Sequence, residues 1–148
     1  MKLADDLREF VELLNSENVE YVIVGGHAVG YHGYPRYTGD IDIFVRSDSS
    51  NAARIVAVLD AFGFGNLGAD ADTFTKPDTV VQLGRPPNRI DILTNISGVD
   101  FEQVWDTRES AELDVPVAMI AREPLLINKR AAGRAKDLAD VREREQIE

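Results

Sequence analysis

Two aspartates two residues apart, Asp40 and Asp42, open the apolar run DIDIFV. Side chains at i and i+2 of a strand point to one face, so both carboxylates project together. At that separation they repel one another unless a cation lies between them. Oxygen ligands of this kind suit a hard divalent cation such as Mg²⁺ or Mn²⁺, with substrate phosphates completing the shell. A third carboxylate, Asp91, stands in RIDIL between Ile90 and Ile92. If that strand lies beside Asp40-Ile41-Asp42, three carboxylates converge. Three suffice for two metals roughly 3.5–4 Å apart, which clamp the attacking and leaving oxygens of phosphoryl transfer. An Asp-x-Asp pair alone is weak evidence, so the neighbouring residues decide how much weight it carries.

Upstream, the apolar run YVIV ends at Gly25-Gly26. A strand–Gly–Gly–helix junction offers unencumbered backbone N–H groups and the positive end of a helix, which suits a phosphate. Arg36 and Thr38 precede the acidic strand, and either could touch phosphate. Arg36 reads slightly better as an ion-pair partner of an aspartate. His27 reads as a helix-start residue, and neither it nor His32 has a second ligand at metal spacing. Tyr31, Tyr34 and Tyr37 form an aromatic group beside the site, by default core, with base stacking open to an exposed ring. Trp105 reads as core. No Gly-Lys-Ser/Thr phosphate loop and no Ser-His-Asp arrangement is present.

Taken together, these residues resemble the nucleotidyltransferase superfamily, which shares the fold of DNA polymerase β and the aminoglycoside nucleotidyltransferases. The shared pattern is the glycine pair Gly25-Gly26, the Asp40-x-Asp42 pair and the later Asp91. The stretch GGHAVGYHGYPRYTGDIDIFV looks like the AbiEii-like branch, which includes nucleotidyltransferase toxins of bacterial toxin–antitoxin and abortive-infection systems. That branch also carries a downstream lysine and a closing Lys/Arg-Asp-x-x-Asp, matched here by Lys129 and by Lys136-Asp137 with Asp140. The resemblance implies transfer of a nucleoside monophosphate from a nucleoside triphosphate to a hydroxyl acceptor: a tRNA, a partner protein such as an antitoxin, or a small molecule. It implies metal binding by Asp40, Asp42 and Asp91, with Asp91 also helping to activate the hydroxyl. Gly25 and Gly26 would meet the triphosphate, Lys129 would neutralise phosphate charge, and Asp137 would be a further functional carboxylate. A non-catalytic nucleotide-binding or regulatory subunit on the same fold is the alternative.

The elements that must position these residues read as a mixed α/β (α+β) domain with four to six strands and four or five helices. Apolar positions at helical spacing predict a helix over residues 3–14, and residues 19–24 read as a buried strand. A short helix follows over 27–33, then a strand over 40–45. The SDSSN run supplies N-caps for a helix over 52–62, with Ile55, Val56, Leu59 and Phe62 inward. Strands are expected at 73–76, 80–83 and 89–93, and a short helix at 101–105. A strand region at 112–120 is interrupted by Pro116, which demotes it towards an edge. Pro124 opens a helix ended by Gly133, and a charged helix over 135–145 closes the chain.

The chain has 148 residues, 26 acidic against 16 basic, and a net charge of −10. One domain over 1–148 is expected. Strong acidity disfavours non-specific DNA binding. The absence of cysteine excludes disulfides and thiolate metal sites and favours a cytoplasmic setting. Neither a signal peptide nor a membrane span is expected.

Overall fold

The computed structural model describes residues 5–33, 39–65, 68–85 and 88–132. Helix α1, Asp5–Ser16, buries Leu7, Phe10, Val11 and Leu14, the i, i+3, i+4, i+7 stripe of an amphipathic helix. Asn18, at φ 58, turns the chain out of it. Strand β1, Tyr21–Val24, is buried along its whole length. Helix α2, Gly25–Tyr31, follows with no intervening loop, so the glycine pair lies inside the helix and the expected start at residue 27 is two residues late. Strand β2, Ile41–Val45, and helix α3, Ser49–Ala61, come next. Asp48 is the residue of the SDSSN run that caps α3, accepting from the Asn51 backbone N–H. Ile55 and Leu59 are buried as expected and Val56 and Phe62 pack against the core, with Val58 buried beside them.

The expected strand at 73–76 is instead a 3₁₀ turn, Thr73–Thr75. Asp70 Oδ1 accepts from both the backbone and the hydroxyl of Thr73. Those local bonds offer the backbone a turn where threonine propensity suggested a strand. Strands β3, Val80–Leu83, and β4, Ile90–Leu93, then form an antiparallel pair. Helix α4, Phe101–Asp106, is held by a complete capping box between Asp100 and Gln103. Strands β5, Glu109–Glu112, and β6, Pro116–Met119, precede helix α5, Arg122–Ala132.

The six strands form one mixed sheet in the order β3-β4-β2-β1-β6-β5. Pro116 therefore does not mark an edge: β6 lies between β1 and β5. As the first residue of the strand, opposite Glu112, it sits where proline is tolerated. The strand expected at 112–114 ends at Glu112, and Asp114 adopts a positive φ of 67 in the turn to β6. Among the described residues the structure thus carries five α-helices and six strands. The charged helix expected at 135–145 lies outside them.

β1 and β2 pair antiparallel, while β2 and β4 are parallel. Asn51 ties the first two together from α3. Its Oδ1 accepts from Glu20 N–H at 2.7 Å, and its Nδ2 donates to the carbonyls of Glu20 and Arg46. Asn51 is fully buried, so Asn51→Ala would strand the Glu20 N–H and the Arg46 carbonyl, while the Glu20 carbonyl keeps the Arg46 N–H. A loss of about 3 kcal/mol is expected, read as a lower urea midpoint at unchanged slope. Below it, Arg46 bonds to Glu20 and Glu102 and lies 4.9 Å from the Phe101 ring centroid, fixing α4 under β2.

Candidate active site

The register of β2 with β4 sets Ile41 against Ile90 and Asp42 against Asp91. In-register neighbours share a face of the pleat, so the Asp42 and Asp91 side chains stand next to each other. Phe44 is two residues on from Asp42, and its ring packs edge-on against Phe101. One sheet face is therefore apolar over α4 and acidic at the end where β1 finishes and β2 and β4 begin. Asp40 lies just before β2 and lines the same cavity of about 560 Å³ as Asp42 and Asp91.

Asp42 and Asp91 are joined by a side-chain hydrogen bond. Burial first, then the Asp91 charge and that bond, push the Asp42 carboxyl up to about 6; Lys129 and Arg89 pull it partly back. Arg89 was not foreseen at this site. Its Nε and Nη2 fork onto Asp91 Oδ1 and Oδ2 at 2.9 and 3.1 Å. Its Nη2 also lies 3.7 Å from Asp40 Oδ2, and its backbone N–H donates to Asp40 Oδ1 at 2.9 Å. The i−2 spacing from Asp91, the same rule that pairs Asp40 with Asp42, is the signal that marks it.

Gly25 opens α2 with φ +70. A Cβ on it would fall 1.9 Å from Asp42 Oδ2, so only the bare backbone fits against that carboxylate. His27 does lie in the first turn of α2, and it is buried: its ring hydrogen-bonds to the Asp40 backbone, and its Nδ1 has no partner. Burial, the largest influence, lowers its pKa and so favours the neutral ring. His27 thereby links the start of α2 to the approach of β2.

Lys129 enters from α5 and lines the cavity. The helix is held there by the Ser97-Gly98 turn. Asn128 Nδ2 donates to the Ser97 carbonyl at 2.9 Å, and a Cβ on Gly98 would fall 2.5 Å from the Ala131 Cβ. Glycine at 98 is what lets the turn touch the helix.

Residues 2–148 match the model of a family described as nucleotidyltransferase of unknown function, DUF6036. The chain belongs to this family of nucleotidyltransferases. A crystal structure of a candidate nucleotidyltransferase from Thermotoga maritima has the same fold, with a TM-score of 0.60 and 16% identity over 96% of this chain and 91% of that one. No curated protein matches the chain.

Within this nucleotidyltransferase fold, Gly25, Asp40, Asp42, Asp91 and Lys129 line one cavity. Gly26 lies one residue further into α2. Arg36, Thr38 and Asp137 lie outside the described residues, as do Tyr34 and Tyr37. Tyr31 is exposed at 36% and makes a long hydroxyl contact to Glu109 at 3.4 Å. Trp105, on α4, is partly buried against the core, with Arg108 3.6 Å over its ring. A larger hollow of about 700 Å³ between α1 and the end of α3 holds none of these residues. Its walls are Asp6, Glu9 and Glu12 over Phe62 and Phe64, with no cation lining it among the described residues.

The donor set at the smaller cavity fits a hard divalent cation. The adjoining carboxylates of Asp42 and Asp91 share a hydrogen bond that a cation can replace. The glycine at position 25 leaves room beside Asp42 Oδ2 that any other side chain would fill. Among the described residues no three carboxylates or imidazoles converge into a finished metal centre. Here the Arg89 guanidinium takes both oxygens of Asp91, and its backbone N–H takes Oδ1 of Asp40.

Proposed function

We propose that the protein transfers a nucleoside monophosphate from a nucleoside triphosphate to a hydroxyl acceptor, with release of pyrophosphate. The observation that carries this reading is the in-register pairing of Asp42 with Asp91 inside a cavity that Asp40 and Lys129 also line. At about 560 Å³ the cavity lies within the roughly 300–1,000 Å³ span of small-molecule sites. Asp40, Asp42 and Asp91 would hold Mg²⁺ or Mn²⁺, which when bound supplies charge neutralisation on the phosphates.

The chain's own residues account for the rest. The backbone at Gly25-Gly26 approaches the triphosphate without side-chain obstruction. Lys129 brings a positive charge to the phosphates from α5, and its position over Asp42 is fixed by the turn at Ser97-Gly98. The acceptor oxygen bonds to the α-phosphorus while its proton passes to a carboxylate of the cluster. The bond to the β-phosphate oxygen breaks, and pyrophosphate leaves with the electron pair. Alignment of the two reactants contributes much of the rate.

The resemblance to the AbiEii-like branch makes tRNA and partner proteins the first acceptors to try, and growth arrest by a toxin the setting to test. No helix among the described residues is long and apolar enough to cross a membrane. The test is calorimetry with Mg²⁺ and each of the four nucleoside triphosphates, followed by transfer of an α-labelled nucleotide to total tRNA and to lysate protein. A labelled acceptor is the expected result. Tight binding with no labelled acceptor would point to the nucleotide-binding module instead, and absence of binding would reject both.

A further inference from the structure

Arg89 occupies the position in the carboxylate cluster where a cation is wanted. Its guanidinium forks onto both oxygens of Asp91 at 2.9 and 3.1 Å, and its Nη2 lies 3.7 Å from Asp40 Oδ2. As a guanidinium it carries its charge at every working pH. The Asp91 side chain is only 11% exposed, whereas that of Arg89 is 30% exposed. The acid is therefore anchored in the sheet while the cation reaches it from the cavity mouth. Bidentate Arg–carboxylate pairs are among the stronger polar contacts in proteins, and they use the lone pairs that a metal would need.

We propose that Arg89 is the built-in counter-ion of the acidic cluster and competes with the divalent cation for Asp91. It keeps the three carboxylates together when no metal is bound and must swing away from Asp91 before that carboxylate becomes a metal ligand. The inference rests on the metal-binding reading given above. It makes Arg89 a positioning residue that sets the metal concentration at which the site fills. A residue that merely braced Asp91 would do the opposite: its loss would loosen the ligand and weaken metal binding.

The test is titration of Mn²⁺ into wild type, Arg89→Gln and Arg89→Lys by calorimetry in the absence of nucleotide, with thermal unfolding of each protein with and without Mn²⁺. Loss of a hydrogen-bonded charge pair corresponds to roughly a tenfold change or more. Arg89→Gln should therefore bind Mn²⁺ about tenfold more tightly than wild type. Its melting temperature should be lower without metal and recover when Mn²⁺ is added. Arg89→Lys keeps the charge but lacks the planar fork, so its gain should be smaller. It also provides the comparison should Arg89→Gln fail to fold. Metal binding by Arg89→Gln but not by wild type would also support the proposal. Equal or weaker binding in both variants, with wild type binding normally, would overturn the counter-ion role and leave the metal site standing. No binding by any of the three proteins would overturn both.

Discussion

Asp42→Asn is expected to abolish nucleotidyl transfer and, in the same protein, to raise the stability of the metal-free fold at neutral pH. The first effect follows from the role proposed for the carboxylate. Removing a ligand of the cation that neutralises the phosphates costs several kcal/mol of transition-state stabilisation, so a loss on the order of 10³-fold is expected. The second follows from the electrostatics of the pair. Asp42 is held near 6 by burial and by Asp91, above its ordinary 3.8. Between about pH 4 and 6 the folded protein keeps a proton that the unfolded chain has already lost. The contribution of this group to stability is therefore greatest below pH 4, falls as pH rises to about 6, and stays low above it.

An asparagine has the shape of the protonated acid and no charge, so the variant lacks that fall. After allowance for the partial exposure of Asp42, the difference at pH 8 is on the order of 1–2 kcal/mol in favour of the variant. Urea denaturation at pH 5 and pH 8, with and without Mg²⁺, measures it. Wild type should regain stability at pH 8 when Mg²⁺ is added, and the variant should not. The combination matters because a variant that lost transfer by misfolding would be less stable at both pH values. Equal stability across pH in wild type, or full transfer by Asp42→Asn, would reject the assignment of Asp42.

The parts of the site that were legible in the sequence are those governed by strand periodicity. Asp40 with Asp42 follows from the i, i+2 rule, and Asp91 stands out as the one charge inside the otherwise apolar run IDIL. Convergence with Asp91 requires only that the RIDIL strand lie beside Asp40-Ile41-Asp42, and β4 does pair with β2, parallel and with Asp42 opposite Asp91. Arg89 stands at the start of the same strand, where an arginine is ordinarily solvated. Nothing in a single sequence says that its guanidinium turns inward rather than outward. His27 stands in the first turn of α2, but its burial follows from α2 beginning at Gly25, directly after β1 with no loop between.

The misread fold elements have local causes. At Thr73–Thr75 the hydrogen bonds that Thr73 donates to Asp70 outweigh β-branched propensity. At Pro116 the strand begins where no ladder N–H is needed, so the proline did not force β6 to the edge. Asn51 shows the limit most clearly. As one polar residue in a polar capping run it looks exposed, yet it joins β1 and β2 from inside the core. Such long-range partners are set by tertiary packing and leave no local pattern.

Gly25→Ala is expected to cost more activity than any substitution outside the carboxylates. Two effects meet at this position. The backbone has φ +70, a conformation that costs an alanine roughly 1–2 kcal/mol. The new methyl would also fall 1.9 Å from Asp42 Oδ2 and 2.8 Å from its Cγ. The carboxylate must move aside, but Asp42 lies in β2, paired with Val24 on one side and Asp91 on the other, so its backbone has little room to follow. The displacement therefore falls on the carboxylate, where a shift of about 1 Å can cost on the order of 10²-fold in rate. Gly63→Ala separates the two effects. It has φ +93 and nothing within 4 Å of a new Cβ, so it carries the backbone strain without the clash. Both variants should lose about 1 kcal/mol or more in urea denaturation. Only Gly25→Ala should lose transfer, together with Mn²⁺ affinity. If Gly63→Ala lost as much transfer, general destabilisation would be the cause. If Gly25→Ala kept its Mn²⁺ affinity, the carboxylate would not be the group displaced, and the reason for a bare backbone at this junction would have to be sought in the triphosphate alone.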